Sequence, residues 1–247
     1  MKTDYKKEII TELKRLSGRK SLAKIYSDWL HIMAYTLSNS ADMRQYQKRE
    51  EAYLELVKHY NREELERFAK CFGALINAME YKMNDWLGEI YMELGINNKS
   101  MDQFFTPYHI SKLMAELSFV SNKEQLKEKK WIGYYEPCCG AGGLTIAFAE
   151  AMQKKKYNLQ TQLVVWCEDL DENCLLMTYV QLSLLGIKAI CKVKNVLSQE
   201  EFSTWYTPFY IYFPPPMPEK EQTIETLVES VIEKQEAPGE IEQLVLF

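Results

Sequence analysis

Apolar residues recur at three- and four-residue spacing through the first hundred positions. "SLAKIYSDWLHIMAYTLSN" and "YLELVKHYNREELERFAKCFGALINAM" both set charges between apolar positions, the pattern of amphipathic helices. No proline precedes Pro107, and Gly18, Gly73, Gly88 and Gly95 are the only glycines in that stretch. The pattern predicts a helical domain over residues 1–100, with the apolar stripes as its core. His31 and His59 fall inside helical patterns and are read as structural.

The period then changes. "WIGYYE" (131–136) is a short aromatic and β-branched run that ends in the glycine-rich "PCCGAGG", and "LTIAFAEAMQKKK" after it reads as a helix. "QLVVWCE" (162–168) predicts a buried strand, and "ENCLLMTYVQLSLLG" a helix stopped by Gly186. "KAICKV" (188–193) and "PFYIYF" (208–213) are two further strand candidates. Strands alternating with helices predict an α/β fold of right-handed βαβ units, its parallel sheet covered on both faces. Beyond the prolines, "EKEQTIETLVESVIEKQ" puts Ile224, Leu227, Val228, Val231 and Ile232 on one helical face. "EAPGEIEQ" then reads as a polar linker, and "QLVLF" closes the chain.

Composition narrows the classes. The 247 residues are 47% hydrophobic and 26% charged, ordinary for a globular protein. No apolar run approaches the roughly 18 residues of a membrane span, and "MKTDYKKEII" has no signal-peptide core, so a cytoplasmic protein without membrane contact is expected. The net charge of −5 argues against a stand-alone nucleic-acid binder. Six cysteines without a C-x-x-C or a histidine at ligand spacing are read as reduced thiols, with no metal site.

A strand, then Gly140-Ala141-Gly142-Gly143, then a helix is the layout of a nucleotide-type cofactor site. The second strand ends in "CEDLDEN", where an acid can hydrogen-bond a ribose diol. Glu136 puts a carboxylate just before the glycine loop. A dinucleotide site has little negative charge beside its phosphates; an acid there suits a cofactor with a cationic amino group, such as S-adenosylmethionine.

"YYEPCCGAGGLTIAFAEAM" resembles the cofactor-binding motif of N6-adenine DNA methyltransferases, in particular modification subunits of type I restriction systems. "DQFFTPYHISKLMAEL" is similar to the segment that precedes that motif, and "EDLDENCLLMTYVQLSLLGI" to the one that follows the second strand. The resemblance covers residues 101 to about 195 and implies a Rossmann-like S-adenosylmethionine-dependent methyltransferase fold after the helical domain. It divides the chain into 1–100, a cofactor-binding domain at 101–216, and a tail at 217–247. It further implies that Glu136, Pro137, Cys139, Gly140 and Gly142 line the methionine end of the cofactor and that Thr106 and Pro107 close over it. Asp169 would take the ribose hydroxyls, with Glu168 as the alternative, while Leu170 packs on the adenine ring and Asn195 accepts from its amino group.

In that family a fourth strand ends in Asn/Asp-Pro-Pro-Tyr/Phe. The polar residue accepts from the amino group of the flipped adenine, and the aromatic ring stacks on it. In "YIYFPPPM" the resemblance aligns Phe213, Pro214, Pro215 and Pro216 with this motif, so phenylalanine stands where the acceptor belongs and proline where the ring belongs. The fold implied also continues beyond the thirty or so residues that follow the prolines. Two readings follow: an adenine methyltransferase with an unusual fourth motif that meets DNA through a partner chain, such as a specificity or restriction subunit, or a non-catalytic binding module derived from one. Gln243, Leu244, Leu246 and Phe247 resemble the peptide by which bacterial proteins dock on the replication sliding clamp.

Overall fold

The computed structural model describes residues 4–18, 20–96, 105–122, 126 and 130–215. Pro216, the apolar face from Ile224 to Ile232, and Gln243, Leu244, Leu246 and Phe247 lie outside the described residues. Among the described residues no helix is long and apolar enough to cross a membrane.

The helices described before the sheet are α1 (Tyr5–Leu16), α2 (Leu22–Asn39), α3 (Tyr46–Val57), α4 (Arg62–Tyr81), α5 (Trp86–Glu93) and α6 (Tyr108–Asn122). Side chains cap most of their starts, because the first turn of a helix leaves N–H groups without partners. Asp4 accepts from Lys7 N at 3.1 Å and Ser21 from Lys24 N at 3.2 Å. The periodic run from Tyr53 is in fact two helices. Asn61 interrupts it and forms a capping box with Glu64 that starts α4. Two buried carboxylates in this part are paired with cations: Glu12 with Arg67 at 2.8 Å and Lys70 at 3.2 Å, and Asp28 with Lys24 at 2.7 Å.

The sheet holds β1 (Ile132–Glu136), β2 (Leu163–Asp169), β3 (Lys188–Lys194) and β4 (Glu201–Tyr206) in the order β1-β2-β3-β4. The first three are parallel, with Glu136 level with Cys167 and Cys167 with Cys191; β4 runs antiparallel to β3. The crossovers carry α7 (Gly143–Lys154), the single turn α8 (Leu159–Gln162) and α9 (Glu172–Leu184), and α10 (Pro208–Tyr212) follows β4. In α9 nine successive residues, Cys174 to Leu182, are buried. A helix apolar all round belongs between two layers, and α9 lies between the sheet and α2, with Tyr179 against Trp205 of β4 and Asn173 bonded to Ser27.

Two expectations are corrected. Among the described residues, helices cover one face of the sheet, not both. Thr145 of α7 meets Cys167, Phe148 meets Tyr134, and Tyr179 of α9 meets Trp205, so both helices lie on the face of Val165, Cys167 and Cys191. The opposite face keeps Tyr135 55% exposed and Trp166, Ile190 and Lys192 half-buried. Two right-handed crossovers that step the same way across a sheet put their helices on one side. "PFYIYF" is a helical turn rather than a strand. Pro208 takes the first helical position, where its fixed φ and missing N–H cause no loss. The fourth strand is the preceding "EFSTWY", reached through a hairpin in which Asn195 Oδ1 accepts from Leu197 N and Ser198 N at 3.0 and 3.1 Å.

Candidate functional site

The glycine loop leaves the C-terminal end of β1 and is fixed from both sides. Gly140, at φ +54°, donates its N–H to Asp169 Oδ2 at 2.8 Å, and Cys139 N donates to Glu168 O at 3.0 Å. Thr178 of α9 donates to Gly140 O at 2.9 Å. Gly142, at φ +88°, begins α7; a Cβ there would stand 2.9 Å from Thr178 Oγ1, so both the turn and the close approach require glycine. A Cβ on Gly140 would press on the Phe105 ring at 3.2 Å.

Around this loop lies a cavity of about 250 Å³ lined by the strand ends, the loop and residues from α5 and α6. Of the expected residues, Thr106, Glu136, Cys139, Gly140 and Asp169 line it together. Thr106 and Pro107 also border a larger cleft of about 680 Å³ that shares Asp85 and Phe105 with it. Leu170 is 59% exposed beyond the end of β2, and Pro137 lies half-buried in the turn after β1. Asp169 faces the cavity, while Glu168 is turned away, with Tyr135 OH at 2.8 Å and Lys194 at 3.2 Å.

The lining has a sign. Among the described residues it carries three carboxylates, Asp85, Glu136 and Asp169, and no lysine, arginine or histidine. Burial raises Glu136 above the usual range, opposed by the hydroxyl of Tyr134, which donates to Oε2 at 2.9 Å. Burial also raises Asp169, opposed by the backbone N–H groups of Asp171 and Gly140. A site of this charge attracts a cationic group and repels phosphates. It fits a ligand with an amino-acid end on two counts: its carboxylates match an ammonium, and the buried Ser111 hydroxyl in the lining has no hydrogen-bond partner among the described residues.

Several of these residues gave no functional signal in the sequence. Asp85 caps α5 and accepts from Gly88 N at 2.9 Å and Gln181 Nε2 at 3.0 Å. Gln181 also donates to Ala141 O at 2.9 Å and accepts from Leu87 N at 3.1 Å, tying α9, the glycine loop and α5 together. A glutamine inside the otherwise apolar "TYVQLSLLG" was the available clue, because a buried amide demands partners.

The remaining expected residues are elsewhere. Asn195 is absent from the lining, and its amide oxygen serves the β3–β4 hairpin. Phe213, Pro214 and Pro215 are not beside the loop. They follow α10, whose capping Thr207 bonds Ala189 at the start of β3, whereas the glycine loop follows the end of β1. That places the start of α10 two strand spacings across the sheet from the loop, roughly 10 Å, and at the opposite end of the strands. Tyr212 OH donates to Ser40 O at 2.5 Å, holding α10 to the end of α2.

A family model described as N-6 DNA Methylase matches residues 82–230, more than half of the chain. No curated protein and no solved structure matches it.

Proposed function

The chain belongs to the N-6 DNA methylase family, and from that premise we propose that it binds S-adenosylmethionine at the glycine loop and does not by itself transfer the methyl group to DNA. The observation that carries the first half is the acidic, glycine-cradled cavity at the ends of β1 and β2. In this reading the fold is the cofactor-binding part of a Rossmann-like methyltransferase behind a helical domain of residues 1–100. Glu136 and the loop from Pro137 to Gly142 hold the methionine end, Asp169 faces the ribose, Leu170 covers the adenine from the rim, and Thr106 and Pro107 close the opening. The bound cofactor supplies an electrophilic methyl group on a sulfonium. The chain's own residues bind it, orient it and keep its positive charge beside carboxylates.

The second half rests on where Phe213 lies. Methyl transfer to an adenine amino group needs an acceptor that orients the nitrogen and disperses the charge built up on it. Phe213 has none, and it sits at the far end of the sheet from the glycine loop. The acceptor, and the surface that reads DNA, would then come from a partner chain such as a specificity or restriction subunit. Calorimetry with S-adenosylhomocysteine tests the cofactor reading, with NAD as the anionic control. One site with micromolar affinity for the former and none for the latter is expected; silence with S-adenosylhomocysteine up to millimolar concentration refutes it. Methyl incorporation into adenine-containing DNA by the isolated chain would overturn the second half.

A further inference from the structure

Two side chains in the cavity have partnering that nothing among the described residues completes. Ser111, on α6, is 1% exposed and lines the cavity, and its Oγ has no hydrogen-bond partner. A helical serine ordinarily returns its hydroxyl to the carbonyl one turn earlier; here Pro107 O takes the Ser111 N–H at 3.2 Å, and the hydroxyl is not used. A buried hydroxyl without a partner costs about 1–3 kcal/mol, a cost that a ligand group entering the cavity would relieve.

Asp85 is the second. It is 4% exposed, and both bonds it accepts, from Gly88 N and Gln181 Nε2, go to Oδ1. Oδ2 accepts none among the described residues, and it lies where glycines make room for it. A Cβ on Gly88 would fall 2.2 Å from it and one on Gly143 3.2 Å. Gly88 sits inside α5, where glycine is disfavoured by about 1 kcal/mol relative to alanine; the position of the Asp85 carboxylate explains it. Among the described residues the cavity lining brings no cation to Oδ2, so that oxygen keeps its capacity to accept.

We propose that Asp85 and Ser111 form a second wall of the cofactor site, contributed by α5 and α6, with Asp85 accepting from the ammonium and Ser111 donating to the carboxylate of the ligand's amino-acid end. This rests on the S-adenosylmethionine reading above and adds the side of the ligand that α5 and α6 recognise. It also gives the helices before the sheet a part in binding, because Asp85 is the cap of α5 and Ser111 lies in the first turns of α6.

The test compares S-adenosylhomocysteine with 5′-methylthioadenosine, which keeps the adenosine and the sulfur but lacks the amino-acid end. Calorimetry is run on the full chain and on its Asp85→Asn and Ser111→Ala variants, with circular dichroism to confirm that each is folded. Each variant is expected to weaken S-adenosylhomocysteine at least tenfold and to leave 5′-methylthioadenosine unchanged. Unchanged affinity for S-adenosylhomocysteine overturns the proposal, as does an equal loss of both ligands, which would mark a purely structural role. If the wild type binds both ligands equally well, the cofactor site stands and this second wall falls. If it binds neither, the reading of the site falls and the second wall with it.

Discussion

Asp85→Asn should make the protein more stable at neutral pH. Burial pushes the Asp85 carboxyl from its ordinary 3.8 up to about 6, against the bonds it accepts from Gln181 and Gly88. An acid whose folded value lies above its unfolded one binds more protons in the folded state across that window. Its favourable contribution is therefore full below about pH 4, declines as pH rises through 6, and is absent above. The window is about two pH units wide, which at 1.36 kcal/mol each amounts to about 3 kcal/mol. Asparagine keeps the oxygen that accepts from Gly88 N and Gln181 Nε2, at 2.9 and 3.0 Å, and removes the charge. The assay is urea unfolding of wild type and variant from pH 4 to pH 8, read as the difference in free energy at each pH so that most contributions from other acids cancel. The difference should be near zero at pH 4 and grow to about 3 kcal/mol in the variant's favour by pH 8. A difference that stays flat across this range refutes the claim that a buried, uncompensated carboxylate stands there. A variant that is more stable yet binds S-adenosylhomocysteine more weakly would show that the fold gives up stability for the site.

Other expectations follow from the same geometry. Gln181→Leu orphans the carbonyl of Ala141 and the N–H of Leu87 and leaves the Asp85 carboxylate only its bond from Gly88 N; about 3–5 kcal/mol should be lost in urea unfolding, while the exposed Gln47→Leu stays within about 0.5 kcal/mol of wild type. Gly142→Ala forces a Cβ against Thr178 in a left-handed turn, so thermal unfolding should show a loss of about 1–3 kcal/mol, and calorimetry should show weakened S-adenosylhomocysteine binding. Phe213→Ala and Phe213→Asn should leave that affinity within about twofold of wild type, because α10 is far from the loop; a tenfold change in either would contradict the placement of Phe213.

Much of the skeleton was legible because it follows local rules. α2 coincides with its periodic run, and the β1–loop–α7 and β2–α9–β3 units lie where glycine, apolar runs and Gly186 put them. The glycine loop and the acids at the strand ends could be read because they are close in sequence. Asp85 and Ser111 could not, because they reach the loop only through packing; in sequence one is a helix cap and the other a serine in a helix. "PFYIYF" misled because aromatic and β-branched residues suit strands, while the Thr207-Pro208 start that favours a helical turn is a two-residue signal. β4 was missed because Glu201, Ser203 and Thr204 make it polar, and only Trp205 points into the core. That both crossover helices share one face of the sheet was hidden for a different reason. Which face a crossover helix covers depends on the order of the strands, and that order is not written in the period of any one of them.

The central claim, that this chain holds an S-adenosyl ligand at the glycine loop, is tested most directly by hydrogen exchange with and without saturating S-adenosylhomocysteine. Amides from Glu136 to Leu144, around Asp169 to Asp171 and from Thr106 to Lys112 should slow in its presence, while those from Thr207 to Phe213 should not change. Unchanged exchange around the loop, or slowing confined to the segment around α10, would contradict it.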